Sequence, residues 1–245
     1  IDKTGKLFPE GLNGLWFSLA ISDLDKDGYE DIIAGNIGTN TQLKFDPAQP
    51  MELYYADFDQ NGSIDPFLNF YIQGASYPFV SRDELNDQMY SMRRKFSSYK
   101  DYSTATMKDI VSPDQLAKAG KKIATESKTL VLINKKGRFE KQDLPAQAQF
   151  SIITEILTED FNRDGHPDLL LLGNKSDNRL KIGSIEANYG CLLAGDGKGG
   201  FRYISQPESG LKIKGDCKSA LTFQKEGGSY LLIGLTGMPI QLVKY

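Results

Sequence analysis

Nine residues near the start of the chain, DLDKDGYED at 23–31, hold four aspartates and a glutamate. Carboxylates crowded this closely repel one another, so they suit either a solvated turn or the cage of a cation. The pattern returns as DFDQNGSID at 57–65 and DFNRDGHPD at 160–168. Each copy has Asp or Asn at positions 1, 3 and 5, Gly at 6 and Asp at 9. The residues are Asp23, Asp25, Asp27, Gly28 and Asp31 in the first copy, and Asp57, Asp59, Asn61, Gly62 and Asp65 in the second. The third has Asp160, Asn162, Asp164, Gly165 and Asp168. These side chains are hard oxygen donors of the kind calcium takes, and the glycine permits a sharp turn around an ion. Position 7, occupied by Tyr29, Ser63 and His166, is expected to offer its backbone carbonyl. The only histidine therefore sits where its side chain is not needed. A polar turn alone would require neither the ninth-position Asp nor three faithful copies.

The loops must be held by their flanks. An EF-hand loop closes with a bidentate Glu at position 12 before a second helix. Position 12 here is Ala34, Leu68 and Leu171. The flanks, FSLAIS and DIIAGN around the first loop and ITEILTE and DLLLLGN around the third, are short and apolar. They predict loops that join two β-strands. A fourth, eroded copy, TFQKEGGSYLLIG at 222–234, offers Thr222, Gln224, Glu226 and Tyr230 at the ligand positions, and predicts a strand pair without an ion.

LINKKGRFEKQ at 132–142 and LAGDGKGGFRYI at 193–204 predict β-hairpins. The glycines of GDGKGG precede neither a Lys-Ser/Thr pair nor a helix, so they are no phosphate loop. One acidic-loop strand pair plus one hairpin gives a four-stranded unit of roughly 50 to 60 residues, the size of a propeller blade. Between the second loop and its expected hairpin the β pattern breaks at 81–125. There Ser81 and Glu84 have capping-box spacing, and Leu85, Met89, Met92 and Phe96 recur at helical intervals. Ser112, Pro113 and Gln115 repeat that logic, with Gly120 as terminator. The expectation is a helical insertion of two or three short helices, its apolar stripe packed on the β-structure. The adjacent Arg93, Arg94 and Lys95 are expected to form a solvated face.

Composition narrows the function. With 245 residues, 40% of them hydrophobic, the chain can bury a sizeable core. A net charge of -3 argues against a nucleic-acid binder working by phosphate neutralisation. No apolar run has the roughly 18 residues of a membrane span. The opening IDKTGKLFPE carries no apolar leader core, so export would require a leader removed or lying outside these residues. Cys191 and Cys217 are too few for a disulfide framework and are expected as small buried hydrophobes. A lone histidine removes most histidine-based catalysis.

The acidic loops, the strands behind them and the LLAGDGKGGF hairpin resemble the FG-GAP/VCBS repeats of integrin-α-like β-propellers. LYYADFDQNGSIDPFLNFY, YPFVSRDELNDQMYSMRRKF and EANYGCLLAGDGKGGF are similar to the repeat region of bacterial surface proteins related to cartilage acidic protein, often coupled to an ASPIC/UnbV module. No segment resembles that module itself. The resemblance implies an all-β, propeller-like fold with calcium-loop repeats. Residues 1–245 would form one domain of about four repeats, complete or part of a larger parent chain. It also implies about three Ca2+ ions and an exported, cell-surface, periplasmic or extracellular location. The expected role is noncatalytic binding or scaffolding of a protein or glycan ligand. The alternative is a carbohydrate-active or other hydrolytic propeller, which needs a carboxylate pair outside the metal loops. Trp16, Tyr71 and Tyr77 are expected to be packed rather than to line a glycan groove.

Overall fold

The computed structural model describes Asp2 and residues 4–245. Its strands, in chain order, begin with β1 (Ser18–Ser22), β2 (Asp31–Gly35), β3 (Met51–Ala56), β4 (Asp65–Ile72) and β5 (Ala75–Pro78). They continue with β6 (Gly120–Ala124), β7 (Leu130–Asn134), β8 (Phe139–Asp143), β9 (Ile153–Glu159) and β10 (Asp168–Gly173). β11 (Cys191–Gly195), β12 (Phe201–Ile204), β13 (Cys217–Lys225), β14 (Gly228–Leu235) and β15 (Gln241–Lys244) complete them. All pair antiparallel, in four sheets, so the architecture is all-β. Among the described residues, no helix is long and apolar enough to cross a membrane. The chain divides into two compact units, Ile1–Gln42 with Ser127–Tyr245, and Leu43–Glu126.

The first unit holds three sheets, ordered β1-β2-β7-β8, β12-β11-β10-β9 and β13-β14-β15. The run Leu169–Leu172 shows how they pack. Side chains alternate faces along a strand. Leu169 and Leu171 join Ile33, Val131 and Ile133 of the first sheet in one core cluster. Leu170 and Leu172 join Leu231, Ile233 and Leu235 of the third sheet in another. An uninterrupted apolar strand is thus what a middle sheet covered on both faces requires. Its end is equally constrained, since a Cβ on Gly173 would lie 1.7 Å from the Ile152 carbonyl oxygen. The opposite face of the first sheet, at Ala34, Leu130 and Leu132, receives Phe8, Leu12 and Trp16.

One expected pairing is replaced. The LINKKGRFEKQ hairpin completes the first loop's sheet: β7 pairs with β2 through Ile32–Leu132, Ile33–Val131 and Ala34–Leu130. β2 buries nearly every residue and needs an apolar strand at its edge, which LVLIN, also buried, supplies. The second loop needs no distant hairpin, because β5 returns along β4 after the tight turn at Gln73 and Gly74. The fourth copy does form a strand pair, but Lys225 opposes Gly228 across a two-residue turn. Thr222, Gln224 and Tyr230 therefore lie in strands β13 and β14, and only Glu226 is in the turn.

The second unit has one sheet, β5-β4-β3-β6, and a run of short helices. After α1 (Thr4–Leu7) of the first unit, the helices are α2 (Arg82–Gln88), α3 (Met92–Lys95), α4 (Tyr99–Tyr102), α5 (Met107–Ile110) and α6 (Pro113–Lys118). There are five in this segment, where sequence spacing suggested two or three, because single-turn helices carry too little periodicity to be counted. Both anticipated capping boxes form, at Ser81–Glu84 and Ser112–Gln115. Leu85, Met89 and Phe96 are buried against Phe58 of the second acidic loop and Phe67 of β4, with Met92 partly buried beside them. Arg93, Arg94 and Lys95 are exposed. Gly120 opens β6 instead of ending a helix. Its missing side chain makes room for the cross-strand Tyr55 ring, which a Cβ would approach to 2.3 Å.

Candidate metal centre

Each acidic loop joins two neighbouring antiparallel strands: the edge strand β1 to β2, the edge strand β9 to β10, and the central pair β3 and β4. Their backbones repeat closely. Position 4 is left-handed in all three, at Lys26 (φ 58°), Gln60 (φ 61°) and Arg163 (φ 62°). Position 6 is left-handed again, at Gly28 (φ 89°), Gly62 (φ 88°) and Gly165 (φ 90°). The sixth-position glycine was foreseen. The fourth-position strain was not, since Lys, Gln and Arg share no chemistry that favours it.

The side chains hold this shape. The first residue accepts from the amides of positions 5 and 6: Asp23 from Asp27 (3.1 Å) and Gly28 (3.0 Å). Asp57 does so from Asn61 (3.0 Å) and Gly62 (2.9 Å), and Asp160 from Asp164 (3.0 Å) and Gly165 (2.9 Å). The fifth accepts from the seventh amide, as Asp27 from Tyr29 (2.9 Å), Asn61 from Ser63 (2.8 Å) and Asp164 from His166 (2.8 Å). Their oxygens consequently turn inward together. Asp23, Asp25 and Asp27 each bring an oxygen within 4.8 Å of the others, as do Asp57, Asp59 and Asp65. That spacing is about twice a calcium–oxygen bond of roughly 2.3–2.6 Å, so the donors fit around one such ion. In the third loop Asn162 replaces a carboxylate, and its Nδ2 donates to Asp164 Oδ2 at 2.8 Å.

The ninth-position aspartates are the buried members, at 0%, 2% and 1% exposure for Asp31, Asp65 and Asp168. Each latches its loop to the next element. Asp31 accepts from the amides of Leu24 (2.9 Å) and Asn134 (2.7 Å). Asp65 accepts from the Phe58 amide (3.0 Å) and Gln88 Nε2 (3.2 Å). Asp168 accepts from the amides of Asn162 (3.1 Å) and Gly195 (3.0 Å). Each oxygen keeps a second lone pair for a metal. Burial raises the Asp31 and Asp168 pKa values above the usual range, against the pull of those amides. Asp164 is held below it, first by the His166 amide and then by Asn162. The partners Asn134, Gln88 and Gly195 lie far along the chain, and no local pattern marked them.

Asp25 has a further partner, Lys135 Nζ at 2.7 Å, whose hydrogen bond lowers its pKa. Lys26 donates to the Gly165 carbonyl, bringing the first and third loops of this unit together. The His166 ring faces Gly197, where a Cβ would meet Nδ1 at 2.2 Å. Cys191 and Cys217 are free and buried, and burial pushes their thiols up to about 12 and about 11. Such thiols are poor nucleophiles. Trp16, Tyr71 and Tyr77 are all partly buried. Compared with known proteins, the chain matches no family model and no curated protein.

Proposed function

We propose that the chain is an exported, calcium-stabilised repeat module of the FG-GAP/VCBS kind, built of propeller-like blades, which binds or scaffolds a protein or glycan. The observation that carries this reading is the threefold recurrence of one loop geometry, in turning angles and in side-chain-to-amide bonds, each time between neighbouring antiparallel strands. In two of the loops three carboxylates also gather within 4.8 Å of one another, a donor spacing that suits a single cation.

Calcium would be held by Asp23, Asp25, Asp27 and Asp31, by Asp57, Asp59, Asn61 and Asp65, and by Asp160, Asn162, Asp164 and Asp168. The carbonyls of Tyr29, Ser63 and His166 would complete the three sets. The ion would supply positive charge that offsets carboxylate repulsion at the strand junction. An ion bound only to the folded state adds on the order of 2.7 kcal/mol per site at a hundredfold excess over its dissociation constant.

Binding rather than catalysis is supported by apolar surface at the two outer sheets of the first unit. Leu19 (71% exposed) and Ile21 (66%) lie on the first sheet. On the third sheet Leu221 and Leu242 flank Leu232 in a cross-strand row beside the stacked rings of Phe223 and Tyr230. Exposed apolar groups in such rows suit a partner surface. The test pairs a glycan array with melting in calcium and in chelator. Ligand capture together with a chelator-sensitive melt supports the reading. Chelation that leaves the melt unchanged while abolishing turnover of a polysaccharide or ester replaces it with the enzyme.

A further inference from the structure

The first loop has the richest carboxylate set, and more ligand charge ordinarily means tighter calcium binding. Its surroundings oppose that. The β7–β8 turn carries Lys135 against Asp25, whose side chain is only 8% exposed, with Nζ 2.7 Å from Oδ2. The Asp25 Oδ1 accepts the Asp27 amide at 3.3 Å, so each oxygen of this carboxylate carries one contact, and one of the two is to a cation.

The other loops lack this arrangement. Asn134 and Gly195 make matching amide bonds to Asp31 and Asp168, so the residue after each is structurally equivalent: Lys135 in one hairpin, Asp196 in the other. At the third loop the nearby ammonium, from Lys26, engages the backbone carbonyl of Gly165 rather than a ligand carboxylate. At the second loop the neighbouring donor is the neutral Gln88 amide. Among the described residues, no Lys or Arg forms an ion pair with Asp57, Asp59 or Asp65.

We propose that Lys135 is a built-in competitor for the first loop's cation: its ammonium neutralises part of the Asp25 charge and repels a divalent ion that approaches the same carboxylate. This inference rests on the calcium reading of the loops. Lys135 also serves the ion-free loop, neutralising part of its charge and keeping the donors gathered. The first loop is thereby preorganised at the expense of affinity.

The size of the effect follows from Coulomb's law. A single charge about 5 Å from a divalent ion, screened as in water, weakens binding by about tenfold. The experiment is a calorimetric calcium titration of the whole chain as wild type, Lys135→Gln and Lys135→Arg, with Asp23→Ala identifying the first loop's step. Lys135→Gln should tighten that step by about tenfold and leave the other steps unchanged, whereas Lys135→Arg, which keeps the charge, should not tighten it. In chelator, Lys135→Gln should melt below wild type, and added calcium should raise its melting temperature by more. Normal binding at the other loops with an unchanged or weaker first step in Lys135→Gln overturns the inference and leaves the calcium reading standing. Silence at every loop in every variant overturns both.

Discussion

Asp31→Ala separates the latch seen in the structure from the metal ligation proposed for the loops. In chelator only the latch is left. The substitution strips the acceptor from the Leu24 amide, which is fully buried, and from the Asn134 amide, which is half-buried. An unsatisfied buried donor costs about 1–3 kcal/mol, and the half-buried one less, so the sum is on the order of 3 kcal/mol. For a chain of this size that is a fall of about 5–10 °C in melting temperature. Asp23→Ala is the contrast. Its amide partners, Asp27 and Gly28, are exposed, and water replaces the lost acceptor. Differential scanning calorimetry in chelator should therefore show a large loss for Asp31→Ala and a small one for Asp23→Ala, while both blunt the response to added calcium. Equal losses in chelator would refute the latch.

Asp168 has a raised pKa in the folded chain, so the stability tied to its protonated form is complete below the unfolded value and is lost as pH rises through the folded one. In chelator, the stability gap between wild type and Asp168→Asn should accordingly narrow from pH 3 to pH 7, measured by urea unfolding. Leu85→Ala should cost about 2–5 kcal/mol, read as a lower melt of the second unit, because that side chain is wholly buried between helix and sheet. Gly62→Ala, forced into a left-handed backbone at φ 88°, should lose about 1–2 kcal/mol although a Cβ meets nothing there. Glu226→Ala, in the two-residue turn, should leave both the melt and its calcium response unchanged.

The loops were legible because a turn shaped by its own Asp and Asn side chains writes those residues and its glycine into nine positions. The strands beside them were legible for a related reason: Leu169–Leu172 is apolar without alternation, as a strand covered on both faces must be. Pairing across distance was not. Nothing in LINKKGRFEKQ says that it completes the sheet of a loop about a hundred residues earlier, because antiparallel partners are chosen by which edges and faces remain open. The Gly120 reading failed similarly, since the ring of Tyr55 that excludes a side chain there is contributed by another strand. Lys135 stayed hidden as a turn lysine among others until the fold set it on Asp25.

The most direct test of the account is calcium stoichiometry in the chelator-stripped chain, by equilibrium dialysis alongside a thermal melt. One ion for each of the three loops, with a melting temperature that climbs with calcium concentration, is the predicted result. Protein that retains no calcium above background and melts identically in calcium and chelator would contradict it.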